Sequence, residues 1–180
     1  MIQIPQIASW ICVAVLIEAA IIDGLKFKVP NWLTYHFMLG GLIYSYWLQG
    51  PSGLATSAAG LGVGLILLLP LYAIGGMGAG DVKLLAGLGA WIGPLPIFWA
   101  FACSAIVGGL IAIAMMARSG RMFHHVGQIQ SIGSEILTVR DPVALSKTAA
   151  ERKPSMLLLP YGVPIAIGSI GYFVWSGMLF

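Results

Sequence analysis

Charge is the scarcest thing in this sequence: nine Lys and Arg and six Asp and Glu make up only 8% of 180 residues, against 59% hydrophobic. No soluble domain of this size needs so much apolar surface. The balance excludes a soluble fold and specifies an all-α polytopic membrane protein forming one domain over residues 1–180. Cysteine is nearly absent too. Cys12 and Cys103 both sit inside apolar runs and form no C-x-x-C pair, which excludes a disulfide framework or a cysteine zinc site and leaves both as small packing residues. No basic residue precedes the first apolar run; the positive charges follow it. That is the wrong order for a cleaved signal, so the run is expected to stay as a membrane helix with its N-terminus outside. The net charge of +3 is small, no nucleic-acid partner is expected, and the placement of charge matters more than its sum.

What is present is a series of apolar stretches that predicts about six membrane helices in the lipid bilayer. They run from about Ile4 to Asp23, Trp32 to Leu48, Leu54 to Ile74, Val82 to Ile92, Pro96 to Ala117 and Leu158 to Leu179. Each meets the requirement of roughly 20 residues for a crossing except the fourth. All nine Lys and Arg fall in three connections on one side: Lys26 and Lys28, then Lys83, then Arg118, Arg121, Arg140, Lys147, Arg152 and Lys153. The positive-inside rule puts those connections in the cytoplasm and both termini outside. Trp10, Trp47, Trp91, Trp99 and Trp175 fall near the uncharged side and Trp32 near the charged one, as interfacial belts do.

The stretch Gly75-Gly76-Met77-Gly78-Ala79-Gly80-Asp81-Val82-Lys83 organises the rest. Its glycines let the backbone leave one helix and start another at once. The fourth helix then spans only about 18–20 Å of a core of about 30 Å, which favours a recessed Asp81 in a polar cleft open to the cytoplasm. Gly60-x-Gly62-x-Gly64, and Gly89 with Gly93, read as close-packing positions between helices. The only long polar stretch, residues 118–156, carries Met122, Val126, Ile129, Ile136 and Val139 at near-helical spacing, which predicts an amphipathic segment on the cytoplasmic leaflet and a candidate docking surface.

Ionisable residues at the membrane edge are functional hypotheses by default. Asp23 ends the first helix and Asp81 opens the fourth, on the same membrane side. Two carboxylates about 4 Å apart at an effective dielectric near 20 cost about 4 kcal/mol to charge together, so such a pair shares one proton near neutrality. That is what peptide hydrolysis by water requires: one carboxylate takes a proton from water while its protonated partner polarises the carbonyl and assists the leaving amine. A helix start favours charge on Asp81 and a helix end opposes it on Asp23, which assigns Asp81 as base and Asp23 as proton donor. No metal or cofactor is called for.

Three motifs carry a family resemblance. Asp23-Gly24-Leu25-Lys26-Phe27-Lys28-Val29-Pro30-Asn31-Trp32-Leu33-Thr34 resembles the D-x6-P-N-x-L-T signature of bacterial prepilin peptidases, Gly78-Ala79-Gly80-Asp81-Val82-Lys83 their G-x-G-D-x-K motif, and Pro160-Tyr161-Gly162-Val163-Pro164-Ile165-Ala166-Ile167-Gly168 their P-[FY]-G-x-x-[IL]-A-x-G segment. The resemblance implies a bacterial inner-membrane aspartic endopeptidase that removes leaders from type IV prepilin or pseudopilin precursors, with Asp23 and Asp81 catalytic. Gly78, Gly80, Lys83, Pro30, Asn31, Pro160, Tyr161 and Gly162 are the supporting motif residues, Lys83 tuning the pair and Asn31 fixing the turn. Carrying neither a methyltransferase region nor a cysteine-rich insert, the sequence is similar to the short form associated with Tad/Flp pili. Two other readings stay open: a G-x-G-D intramembrane protease of broader specificity, and a transporter using the carboxylates as a proton relay. Oligomeric state is not expected to be readable. Glu18, off the face of Asp23, reads as a hydrogen-bonding residue within the bundle, and His36, His124 and His125 as interfacial residues rather than metal ligands.

Overall fold

The computed structural model describes residues 6–73, 76–119 and 160–180. They form an all-helical bundle: α1 Gln6–Lys26, α2 Asn31–Ala73, α3 Ala79–Ile92, α4 Pro94–Ser119 and α5 Gly162–Trp175. Three segments, Gln6–Lys26, Asn31–Ala73 and Pro94–Met115, are long and apolar enough to cross a membrane. Most of their large apolar side chains that face outward, such as Ile43, Ile66 and Ile106, are exposed, as membrane-facing residues are.

α2 is two rods rather than one. Gly50 leaves helical geometry at φ 62°, ψ −145°, a conformation that costs little without a Cβ. The chain doubles back there: Gly41 and Ser57, on either side of Gly50, both meet Ala90. The expected break between the second and third helices is thus reduced from a loop over Gln49–Gly53 to this one residue. α3 lies in the resulting hairpin. It runs parallel to the first limb, where Gly87 approaches Phe37, and antiparallel to the second, where Gly60 faces Gly89 and Gly64 faces Leu85. A Cβ on Gly60 would lie 2.0 Å from the Gly89 carbonyl oxygen, so only glycine permits this approach. Gly62, expected to share that role, meets nothing.

α3 has 14 residues, about 21 Å, and is buried along nearly its whole length. It ends at Gly93, in a positive-φ conformation (83°), and Pro94 opens α4 immediately. Glycine just past a helix and proline at the first position of the next make an abrupt corner. α4 packs against α5, where a Cβ on Gly168 would lie 2.3 Å from the Ser104 backbone, and Ser104 Oγ contacts the Ile165 carbonyl and Ser169.

Several expectations need correction. The sixth helix is shorter than Leu158–Leu179. It starts only after Pro160 and stops at Trp175, because Gly177 (φ 70°) lets its own N–H reach the Val174 carbonyl and the Met178 N–H reach that of Phe173. That paired arrangement closes a helix irrespective of the apolar residues beyond it. Trp91, unlike the other tryptophans, is half-buried in the bundle. It stacks on Phe37 and Tyr44 and donates to the Phe37 carbonyl at 2.8 Å, whereas Trp10, Trp32, Trp47, Trp99 and Trp175 are exposed. Glu18 is exposed on α1 rather than inside the bundle. Cys12 is buried, Cys103 half-buried, and both are free thiols. The amphipathic segment and His124–His125 lie outside the described residues.

Candidate active site

Three chain segments meet at one end of the bundle, and each brings a motif. α1 supplies Asp23. Cys12, Leu16, Ala19 and Asp23 recur at spacings of four and three along its inward face, so the carboxylate is the polar end of a core stripe. Asp23 is 3% exposed. Phe27 closes α1 with a positive φ of 50° and donates its N–H to the Asp23 carbonyl at 2.7 Å, turning the chain into the short connection to α2.

α3 supplies Asp81, 6% exposed, from its first turn. Its Oδ2 accepts the Gly78 N–H at 3.2 Å, the reach-back of a third helical residue to its cap; Gly78, lacking a side chain, leaves the other half of that box unmade. Asp81 Oδ1 is buried with no hydrogen-bond partner among the described residues. A buried polar atom without a partner is costly, so this oxygen is the place in the site where a ligand atom would find a ready partner.

The start of α5 supplies a donor. The Gly162 N–H donates to Asp23 Oδ2 at 2.7 Å, and a Cβ on Gly162 would lie 3.0 Å from that oxygen. Tyr161, half-buried, is the neighbouring residue, and the Asp81 charge acts on its phenol. The Asp23 charge acts in turn on Asp81. The two carboxylates and Tyr161 therefore share one electrostatic neighbourhood, although they come from three distant stretches of sequence.

The connection between α1 and α2 is pinned to α3 at two points. A Cβ on Gly80 would stand 2.6 Å from the Val29 carbonyl oxygen, so the connection lies directly on the residue before Asp81. Two residues beyond Asp81, the Lys83 ammonium donates to Asn31 Oδ1 at 3.0 Å and to the Tyr35 hydroxyl at 3.1 Å, and lies 4.8 Å from the Tyr35 ring centroid. Lys83 thus points to the start of α2, not to either carboxylate. Pro30 and Pro160 are half-buried beside these turns. Pro30 accepts the Thr34 N–H and Pro160 that of Val163, so each starts a helix without needing an N–H of its own.

Sequence reasoning missed two features. Tyr35 lies one turn after Asn31 on the same face, a spacing that acquires meaning only once Lys83 is known to sit there. The second is that Asp23, at the end of α1, also lies at the start of α5. The dipole reasoning that denied it charge counted one helix of two. His36 is exposed and bonds the Trp32 carbonyl, apart from the carboxylates. Among the described residues, no three His, Cys, Asp or Glu side chains form a metal-binding group.

Comparison with known proteins bears on this end of the molecule. The type IV leader peptidase family model matches residues 10–113, which include Asp23, Asp81 and Lys83. A prepilin leader peptidase/N-methyltransferase of Aeromonas hydrophila is 34% identical over 119 residues, covering 61% of this chain and 40% of that protein. The protein so named in Neisseria gonorrhoeae is 33% identical over 154 residues, 75% of this chain and 51% of its own length. A type 4 prepilin-like proteins leader peptide-processing enzyme of Escherichia coli O78:H11 is 36% identical over 98 residues, 51% of this chain and 36% of its own. The chain spans about half or less of the length of these curated relatives. No solved structure gives a significant match.

Proposed function

The chain belongs to the type IV leader peptidase family, and on that premise we propose that it is a membrane aspartic endopeptidase that removes the leader from type IV prepilin-like precursors. The observation that carries the reading is the pair of buried carboxylates, Asp23 and Asp81, each held among the described residues by one backbone N–H, with Asp81 within reach of the Asp23 charge. Burial and mutual repulsion both disfavour two charges there, so the pair holds one proton between them.

The roles follow from the surroundings of each oxygen. Asp23 lies at the N-terminal end of α5 and takes the shorter N–H bond, which favours its anion. Asp81 keeps one oxygen without a partner among the described residues, which suits a carboxyl that carries the proton. In this reading, which reverses the assignment drawn from α1 and α3 alone, Asp23 takes a proton from water. The oxygen of that water bonds to the scissile carbonyl carbon while Asp81 gives its proton to the carbonyl oxygen. The C–N bond then breaks: the amine leaves with the proton that Asp23 collected, and one hydroxyl of the diol returns its proton to Asp81 as the carboxyl product forms, so the pair again holds one proton.

The surrounding membrane arrangement is part of the proposal. The six rods, counting the two limbs of α2 separately, lie in the bacterial inner membrane with both termini outside and the carboxylates toward the cytoplasm. The basic residues Lys26, Lys28, Lys83 and Arg118 near one end of the bundle support this. A precursor with an apolar helix in the bilayer and its leader in the cytoplasm presents its junction at that depth. Precursors of the Flp/Tad type are the substrates implied by the motif resemblance.

The test mixes the purified full chain, in lipid nanodiscs, with leader-bearing precursors, and compares wild type with Asp23→Asn and Asp81→Asn. Cleavage by wild type and its loss in both variants is expected; retained cleavage in either overturns the two-carboxylate reading. Wild-type activity should be bell-shaped in pH, falling at low pH as the base is protonated and at high pH as the shared proton is lost. A rate that is flat across both limbs speaks against a shared proton.

A further inference from the structure

The spacing of the two carboxylates depends on the connection between α1 and α2. Asp23 lies in the last turn of α1, residues 27–30 follow, and Asn31 opens α2. Phe27 takes a left-handed φ of 50°, which is disfavoured for a bulky side chain. Backbone held in that region keeps its geometry only where its surroundings fix it. Two contacts with α3 do so, and they bracket Asp81. On one side Val29, 2% exposed, sits on Gly80, its carbonyl oxygen 2.6 Å and its Cβ 3.0 Å from where a Cβ would stand. On the other, Lys83 donates to Asn31 Oδ1 and to the Tyr35 hydroxyl.

The two contacts differ in kind. Val29 against Gly80 sets how near the connection can come to α3, but steric contact does not hold it there. The Lys83 bonds attract, and bonds from an ionised donor are stronger than neutral ones. Asn31 is the first residue of α2, and helix ends fray. Tyr35 lies inside the helix, one turn on, and offers the half-buried ammonium both a hydroxyl at 3.1 Å and a ring face at 4.8 Å. It is the firmer of the two anchors. Lys83 is about 200° around α3 from Asp81, so Tyr35 reaches the carboxylates only through Lys83.

We propose that Tyr35 is a positioning residue for the carboxylate pair: by holding Lys83 from the second turn of α2, it keeps the α1–α2 connection seated on the first turn of α3 and so fixes the spacing of Asp23 and Asp81. The proposal rests on the peptidase reading above and extends it to a residue outside the three motifs. Without the hydroxyl the connection lifts from Gly80 more often, and the end of α1 moves with it. Gly162 still holds Asp23, so the loss is partial. Precursor binding does not depend on that spacing and is unaffected.

The test compares the purified full chain, in lipid nanodiscs, with Tyr35→Phe, Lys83→Met and the double variant on a leader-bearing precursor. Phe keeps the ring beside the ammonium and loses only the hydroxyl. Tyr35→Phe is expected to lower turnover per folded molecule about 3–10-fold and to leave KM unchanged. Lys83→Met should lower turnover at least as far, and adding Tyr35→Phe to it should cost nothing further, because Tyr35 acts through Lys83. Backbone amide exchange at residues 27–29, a readout that needs no cleavage, should be faster in Tyr35→Phe than in wild type. A raised KM with unchanged turnover marks a substrate contact and overturns the proposal. So do turnover per folded molecule equal to wild type, the full Tyr35→Phe loss recurring in the Lys83→Met background, or unchanged amide exchange. Turnover, KM and exchange of Tyr35→Phe decide the matter even if Lys83→Met fails to fold. Wild type that cleaves no precursor defeats the peptidase reading instead, and faster exchange in Tyr35→Phe would then leave the hold on the connection standing without it.

Discussion

The two ends of α3 are built by the same device and put to opposite uses. At its far end, Gly60 against Gly89 and Gly41 against Ala90 bring backbones together, and polar groups there find partners: Ser57 Oγ donates to the Ala90 carbonyl at 2.6 Å and Trp91 to that of Phe37. At its near end, Gly80 against Val29 and Gly162 against Asp23 again bring chain segments together. Here two carboxylates are taken out of water with one N–H each among the described residues, which leave one oxygen unpartnered. Close packing that satisfies its polar groups contributes stability. Close packing that leaves them partly unsatisfied costs stability and creates a place for chemistry.

That contrast can be broken by substitution at either end. The largest effect belongs to Asp23→Asn and Asp81→Asn, which should lower cleavage by about 10²–10⁴-fold without lowering the melting temperature, because the first removes the one buried charge of the pair and the second replaces a carboxyl that is already neutral. A fall in melting temperature that tracks the lost activity would place these residues with the structural end instead. Next comes Gly162→Ala, whose new Cβ would press on Asp23 Oδ2 from 3.0 Å. A shift of an ångström or less there is expected to cost roughly 10–100-fold in turnover, with a small change in melting and an unchanged KM for precursor. At the far end the effects should be thermodynamic only. Gly60→Ala places a Cβ 2.0 Å from the Gly89 carbonyl oxygen and should cost about 1–3 kcal/mol of stability, while turnover per folded molecule stays near wild type. Smallest is Trp91→Phe, which keeps the stacking but drops the bond to Phe37; it should cost about 1 kcal/mol and leave cleavage unchanged.

How far each feature was legible depended on how local its cause is. The restart of the chain at Asp81 could be read from Gly78-Ala79-Gly80-Asp81 alone, because glycine freedom and an acid in the first turn are short-range effects. The apolar identity of the rods followed from composition. The stop after Trp175 was missed because hydropathy carries on through Gly177 to Phe180, while the closing bonds depend on one backbone angle. Gly-Pro-Ser-Gly has the composition of a loop, which hides the corner at Gly50. The packing of Trp91 is hidden in the sequence, because an exposed Trp and a packed Trp look alike until Phe37 and Tyr44 are seen against it. Least legible of all was the donor to Asp23, which arrives from a residue 139 positions later, where no local pattern signals it. The motif resemblance marked Gly162 without giving the physical reason for its presence.

The corner at Gly50 also bears on how the molecule is made. Both limbs of α2 emerge from the ribosome before α3 does, and they can fold back on each other using contacts close in sequence. α3, about 21 Å long and bearing an acid near its start, is a poor candidate for entering lipid unaided. The hairpin offers it a lined slot, so biogenesis has a natural sequence: the holder first, the acid-bearing insert afterwards.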